Sequence, residues 1–452
     1  MKAAIIPTLV SAALGAGLLA LSPQASGQSL EDTLVSAYTT NPALAAQRAR
    51  LSQTEEGYVQ ARAGRLPSVS ASAEVSEQEI WGGAFNVRNG DLGYGVSVNQ
   101  PIYRGGRIDG SIDAALARLE AGREALRAAE QSVLLEAVSA HAEVVRDRQI
   151  VAIRSNNVDV LAEQLRAARD RFEVGEITRT DVAQAEARLS GARAQLSAAQ
   201  AALAASRAAY ARVTGVEPAD PEAIEVLGGL PDALADAAEV ALSTNPDLRA
   251  AQFQEIAADQ GVRIARGALR PDVSVGASVN EGRASDFTGQ VQGSATVRAQ
   301  VSVPLFTGGL NRSRVREARA AADEARLSQL SVRRQVIEGV TNAWNNYLAA
   351  QAVIESSREA VRANEIAFEG VEQEAFVGLR TTLDVLNAEQ ELLNSRLELV
   401  RAERDLTVAA YALLQAMGLL DAQRLGLPVE PDGRTPIEDQ GLAPNLDLTP
   451  WN

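Results

Sequence analysis

The stretch Gln100-Pro101-Ile102-Tyr103-Arg104-Gly105-Gly106 returns as Val303-Pro304-Leu305-Phe306-Thr307-Gly308-Gly309, 203 residues later. Each copy ends a run of alternating apolar residues and begins a long proline-free run, so each marks a switch from a strand period to a helical one. Working outward, Thr40-Asn41-Pro42 returns as Thr244-Asn245-Pro246, and Arg65-Leu66-Pro67-Ser68-Val69-Ser70 as Leu269-Arg270-Pro271-Asp272-Val273-Ser274, both at an offset of 204. On the other side, Phe172-Glu173-Val174-Gly175 loosely matches Ala375-Phe376-Val377-Gly378. Thr180-Asp181-Val182 matches Leu383-Asp384-Val385, and Thr214-Gly215-Val216 matches Met417-Gly418-Leu419, again at 203. Six landmarks on one offset mean that a single supersecondary unit is written twice.

The first unit, residues 28–218, reads as a helix from Leu30 to Gly64 stopped by Pro67, strands at 68–80 and 92–102, a long helix at 105–173 and a helix at 178–214. Residues 219–233 form a linker. The second unit, 234–420, repeats the plan with strands at 272–281 and 293–305, a long helix at 308–376 and a helix at 381–418; a proline-rich tail, 421–452, follows. Gly175 and Gly378 mark the tip turns. Pro67, Pro101, Gly105 and Gly106, with Pro271, Pro304, Gly308 and Gly309, mark the strand–helix junctions. The long helices carry coiled-coil seams with a four-residue stutter: Leu119, Leu126, Val133, Ala140, then Val144, Val151, Val158, Leu165. The opening and returning helices are each about half as long, so they read as two halves of one rod beside the long helix.

Composition removes several functions. Length alone, 452 residues, suggests two or three globular domains, which the duplication replaces with one repeated unit. There is no cysteine and one histidine, His141, so disulfides, thiolate metal sites, a cysteine nucleophile and a lipidated cysteine are excluded, and histidine chemistry nearly so. His141 reads as a solvated or helix-packing residue rather than a catalytic or metal-binding one. A net charge of −15 argues against nucleic acid. Residues 1–27, with Lys2, an apolar run and Ala25-Ser26-Gly27, read as an export signal. Trp81, Phe85 and Phe287 fall between strands, where interfacial or external-loop aromatics are expected.

The alternating runs, Val69-Ala71-Ala73-Val75 and Leu92-Tyr94-Val96-Val98 with their copies, have uncharged apolar faces, and only long helices are at hand to cover them. Tilted membrane strands of about ten residues fit this pattern. The alternative is a soluble sheet in a structural, adhesin-like periplasmic coiled-coil protein. Strands in lipid leave no open edge, and four are too few to close a barrel, so the chain must oligomerise. A dimer supplies eight strands and a trimer twelve; the small polar faces (Ser70, Ser72, Ser97, Asn99, Ser274, Ser278, Thr296, Ser302) suit the wider, water-filled bore.

These motifs, in this order and twice over, resemble the TolC-type outer-membrane channel-tunnel family, of the outer membrane efflux proteins, over about residues 30–420. The resemblance implies a mostly α fold with membrane β: a duplicated long-helix coiled-coil tunnel and four strands per chain, joined in a homotrimer with a twelve-stranded barrel in the lipid of a Gram-negative outer membrane. It further implies docking to a periplasmic adaptor protein and an inner-membrane ABC or RND transporter, in the type I secretion and general efflux branch, without enzyme activity or cofactor. By position, the periplasmic gate would comprise Asp384 facing the pore and Arg380 linking toward Thr180 and Asp181. Asn387 stands where a second pore aspartate is usual, and Ala375 where a linking tyrosine is. Independently of the resemblance, Asp181 and Asp384 are placed to cap helices.

Overall fold

The computed structural model describes residues 28–82, 87–224, 229–284 and 291–429. The expected signal, Phe85, Phe287 and the tail beyond residue 429 lie outside them. The elements run α1 (Leu30–Thr40), α2 (Pro42–Ala63), β1 (Ser68–Ile80), β2 (Val87–Arg104), α3 (Arg107–Glu173), α4 (Arg179–Thr214), then α5 (Leu234–Thr244), α6 (Pro246–Gly267), β3 (Asp272–Ala284), β4 (Val291–Ser302), α7 (Leu310–Phe376) and α8 (Thr382–Ala416). The two halves are the same sequence of elements. No helix among the described residues is long and apolar enough to cross a membrane.

The four strands form one antiparallel sheet in the order β1-β2-β3-β4, with β2 and β3 joining the two repeats. The register aligns Val69 with Val98, Val75 with Leu92, Val96 with Val279 and Ala277 with Val297, which puts the apolar residues on one face. Ser70 opposite Ser97, and Ser97 opposite Ser278, put small polar residues on the other. Nothing among the described residues covers the apolar face: Val75 is 81% and Val297 80% exposed. Strand ends differ from expectation. β2 reaches beyond 92–102 at both ends, because Val87 still pairs with Ile80 and Arg104 with Asp272. β4 stops at Ser302 rather than 305, and Pro304 therefore lies outside the ladder, whereas Pro101 sits inside β2 beside a bulge.

Both long helices hold 67 residues, about 100 Å of rod. They begin two residues later than expected, at Arg107 and Leu310, because Gly105, Gly106, Gly308 and Gly309 all have φ between 61° and 84° and cannot continue a right-handed helix. α3 packs on α4, α2 and α6; α7 packs on α8 and α6. Leu119, Leu126, Val133, Ala140 and Val144 of α3 are buried, in a core that also takes Leu34, Leu44 and Tyr210.

The expected single helix from Leu30 to Gly64 is broken. Asn41, at φ −66° and ψ 122°, ends α1 and caps α2, and Pro42 opens α2 where a missing N–H costs nothing. The break makes a joint. Thr40 Oγ1 donates to the carbonyl of Thr214 (2.6 Å) and Asn41 Nδ2 to that of Val213 (3.0 Å), satisfying carbonyls orphaned at the end of α4. The second repeat rebuilds it: Thr244 Oγ1 donates to Met417 O (2.6 Å) and Asn245 Nδ2 to Ala416 O (3.1 Å). α2 and α4 thus meet end to end beside α3. The linker and the start of the tail pack alongside: Leu420, Ala422 and Leu427 are buried in the first repeat's core, and Ala422 N–H donates to Glu130 Oε1 (2.8 Å).

The joint predicts a difference between two glycines of equal conformation. Gly418 and Gly378 have φ of 75° and 81°, but a Cβ on Gly418 would lie 2.6 Å from Asn245 Cα, while one on Gly378 meets nothing within 4 Å. Gly378→Ala should cost only the left-handed strain, about 1–2 kcal/mol. Gly418→Ala should be the more damaging in thermal unfolding followed by circular dichroism, and equal losses would contradict the joint's packing.

Candidate functional site

The far ends of the long helices turn at Gly175 and Gly378, whose left-handed φ of 80° and 81° lets the chain reverse. Glu176 N–H closes the first turn on Arg171 O (2.9 Å), and Leu379 N–H closes the second on Glu374 O (2.8 Å). Each return helix then starts with a capping box. Thr178 donates through Oγ1 and its backbone N–H to Asp181 Oδ2 (2.8 and 2.9 Å); Thr381 does the same to Asp384 Oδ2 (2.8 and 3.0 Å). The side-chain and backbone bonds from Thr178 hold the Asp181 carboxyl below the usual carboxylate range. Backbone and side-chain bonds from Thr381, with a smaller contribution from Arg380, do so for Asp384. Thr178 and Thr381 are therefore the N-caps, and both aspartates are anions at the third position of their capping boxes. Thr180 lies exposed on the first turn of α4.

Arg380 does not link to Thr180 or Asp181 within the chain. Its Nε binds Glu374 Oε2 at 2.7 Å, because the tight turn at Gly378 folds the last turn of α7 back beside it. Asn387 is exposed and accepts a hydrogen bond from Arg188 Nη2 on α4 at 3.0 Å. That contact joins the α3/α4 pair to the α7/α8 pair.

Two further contacts reinforce the same seam. Leu386 of α8 is buried in a cluster with Leu161, Leu165, Ala185 and Leu189 of the other pair. Glu389 is only 7% exposed; its Oε1 accepts from Asn157 Nδ2 on α3 (2.9 Å), and its Oε2 has no hydrogen-bond partner. Burial pushes the Glu389 carboxyl up to about 7, opposed by the Asn157 bond and aided by Glu372 on α7. A neutral Glu389 fits this seam and an ionised one is a buried charge. Sequence reading missed Asn157, Arg188, Leu386 and Glu389. The available signal was a second buried stripe on α8, Leu386-Leu393-Leu397-Val400, one residue off the seam of Val385, Leu392 and Leu406.

His141 lies nearer the middle of α3 and is fully buried. Its Nδ1 is 2.7 Å from Thr33 Oγ1, which is 2.9 Å from Tyr210 Oη, and its Nε2 is 2.8 Å from Glu222 O. Burial lowers its pKa, and the neutral ring with a proton on Nε2 satisfies the whole chain of bonds. It anchors the 219–224 segment to the helices. No cluster of His, Cys, Asp or Glu among the described residues has the geometry to hold a metal ion.

The outer membrane efflux protein family matches residues 33–216 and again 237–419, one match per repeat. The chain is 34% identical to the outer membrane efflux protein BepC of Brucella suis, covering 93% of the chain and 92% of that protein. It is 25% identical to the outer membrane protein TolC of Vibrio cholerae, over 93% and 96%. The solved outer membrane protein VceC of Vibrio cholerae shares its fold with a TM-score of 0.73 at 24% identity, over 86% and 96%.

The raised Glu389 carboxyl gives the seam a pH dependence of definite sign. Its folded-state value lies above the ordinary one of 4.5, so the folded chain holds the proton longer than the unfolded chain. Its stabilisation is complete at and below about pH 4.5 and is lost as pH rises through about 7. Hydrogen exchange in α8, corrected for intrinsic rates, should be slower at pH 5.5 than at pH 8, and Glu389→Gln should abolish the difference. A Gln variant that kept it would remove Glu389 as the cause.

Proposed function

The chain belongs to the outer membrane efflux protein family, and from that membership we propose that it is the passive outer-membrane conduit of a tripartite export system. Three copies supply twelve strands to one barrel in the outer membrane of a Gram-negative cell, and their helices continue the wall as a tunnel across the periplasm. A periplasmic adaptor docks on the helices, and an inner-membrane transporter of the ABC or RND type supplies the energy. The observation that carries this reading is the sheet: one apolar and one small-polar face, two unpaired edges, and a helix leaving every strand at the same end. A soluble sheet would need cover for the apolar face, and the described residues provide none.

The gate in this reading lies at the tips. Asp384 lines the constriction as a ring of carboxylates that the Thr381 cap keeps ionised. Arg380, neutralised within its own protomer by Glu374, steadies the turn rather than bridging to α4. Arg188 to Asn387 and Asn157 to Glu389 are the latches between the helix pairs.

Two measurements test the conduit. Extracts of outer membranes should require detergent to release the protein, which should run as a trimer unheated and as a monomer after boiling; full solubility without detergent would sink the reading. In planar bilayers, Asp384→Asn should lower cation selectivity and weaken block by divalent cations, and unchanged conduction would take Asp384 out of the pore.

A further inference from the structure

Within each chain the two repeats meet where α3 packs on α6. The long helix there carries acids and the short helix arginines: Asp113 Oδ2 is 2.8 Å from Arg263 Nη1, and Glu124 Oε1 is 3.2 Å from Arg249 Nη2. Backbones approach closely beside these pairs; a Cβ on Gly110 would lie 2.9 Å from Ile264 Cγ1 and 3.6 Å from Gln260 O. In a ring of copies, the same seam recurs between chains, with α7 in the place of α3 and α2 of the next copy in the place of α6.

At that second seam the charges are reversed. The offset of 203 carries Asp113 onto Arg316, and Asp109, which pairs with Arg65 on the α2 flank, onto Arg312 one turn away; the offset of 204 carries Gln260 back onto Glu56. Arg312, Arg316 and Glu56 are exposed, and none makes an ion pair with another described residue. Arg312 also stands in the first turn of α7, which has no acid, where the helix dipole disfavours a cation; α3 has Asp109 there.

We propose that Arg316 of α7 pairs with Glu56 of the partner subunit, and that the reversed polarity selects which repeat meets which. The proposal rests on the trimeric reading above. Two repeats of the same element order invite misassembly, because α3 could take the partner's α2 and α7 the partner's α6. In the first error Asp113 would face Glu56 of the partner subunit, and in the second Arg316 would face Arg263 of the partner subunit. Like charges reject both, while the correct order pairs opposite charges at every seam. Glu124 and Arg249 map to Leu327, 66% exposed, and Ala45, so lower on the seam an ion pair is replaced by a leucine against an alanine.

The test is charge exchange in full-length protein extracted from membranes. Arg316→Glu and Glu56→Arg should each cut the trimer surviving at the wild-type half-dissociation temperature by tenfold or more, and the double variant should recover at least half of it. The chain has no cysteine. Ser313→Cys with Gln60→Cys, at the positions equivalent to Gly110 and Ile264, should therefore give a reducible ladder ending at a trimer on non-reducing gels. Single variants with wild-type trimer stability, a double variant that does not recover, or an intact trimer without the ladder would each overturn the proposal and leave the arginines to phospholipid phosphates. A wild-type chain that is not trimeric would instead overturn the conduit itself.

Discussion

The outer edges of β1 and β4 carry backbone N–H and C=O groups that no strand among the described residues pairs. In hydrocarbon each such group costs several kcal/mol, so a four-stranded sheet with one apolar face is stable there only when copies join edge to edge. The rest of the architecture follows from that closure. Every strand is continuous with a helix, β1 with α2, β2 with α3, β3 with α6 and β4 with α7, so closing the strands into a ring closes the helices too. Strands pair about 4.8 Å apart and helices pack about 8–10 Å apart, so the chain must change course between them. The prolines at 67 and 271 and the left-handed glycine pairs sit where that change occurs.

Duplication supplies one scaffold twice, but the copies have different neighbours. The first repeat's long helix is flanked on both sides within its own chain, and its flanks hold matched ion pairs. The second repeat's long helix has α6 on one side only, and its other flank shows Leu327, Leu330 and Ile337 to solvent. Pro101 lies within the ladder between β2 and β3, whereas Pro304 lies past the end of β4. In each case the internal seam is completed within the chain, and in the proposed conduit the outer one is completed by another copy.

The unit order, the sheet and the long helices were legible because their signals are local: a period of two, a heptad, a proline, a left-handed glycine. The family motifs fix the same order twice. The break at Asn41 escaped because an Asn-Pro inside an alanine-rich helical run keeps the pattern going on both sides; only the carbonyls of Val213 and Thr214, more than 170 residues away, explain why it is a joint. The partner that Arg380 takes within the chain is set locally, since Glu374 is nearer once Gly378 has turned the chain. Asn157 and Glu389 lie 232 residues apart, and their meeting is set by how two rods pack in register. Spacing within one helix carries no record of that, beyond the second apolar stripe on α8.

The tip divides two tasks between two carboxylates. Asp384 completes the capping box that Thr381 begins at α8, and the bonds from Thr381 also hold its proton affinity down, so it remains charged across the range where cells live. Glu389 lies little more than one helical turn further along, in a dry seam with one donor, and its affinity is pushed to about 7. In the proposed conduit the charge that ions meet therefore stays fixed, while the contact that holds the two helix pairs together weakens as the proton leaves. Ionising Glu389 strands a charge whose second oxygen has no donor, and the relief available is for the pairs to part and admit water. Selectivity and the hold on the gate can then change independently, because different environments act on the same kind of side chain.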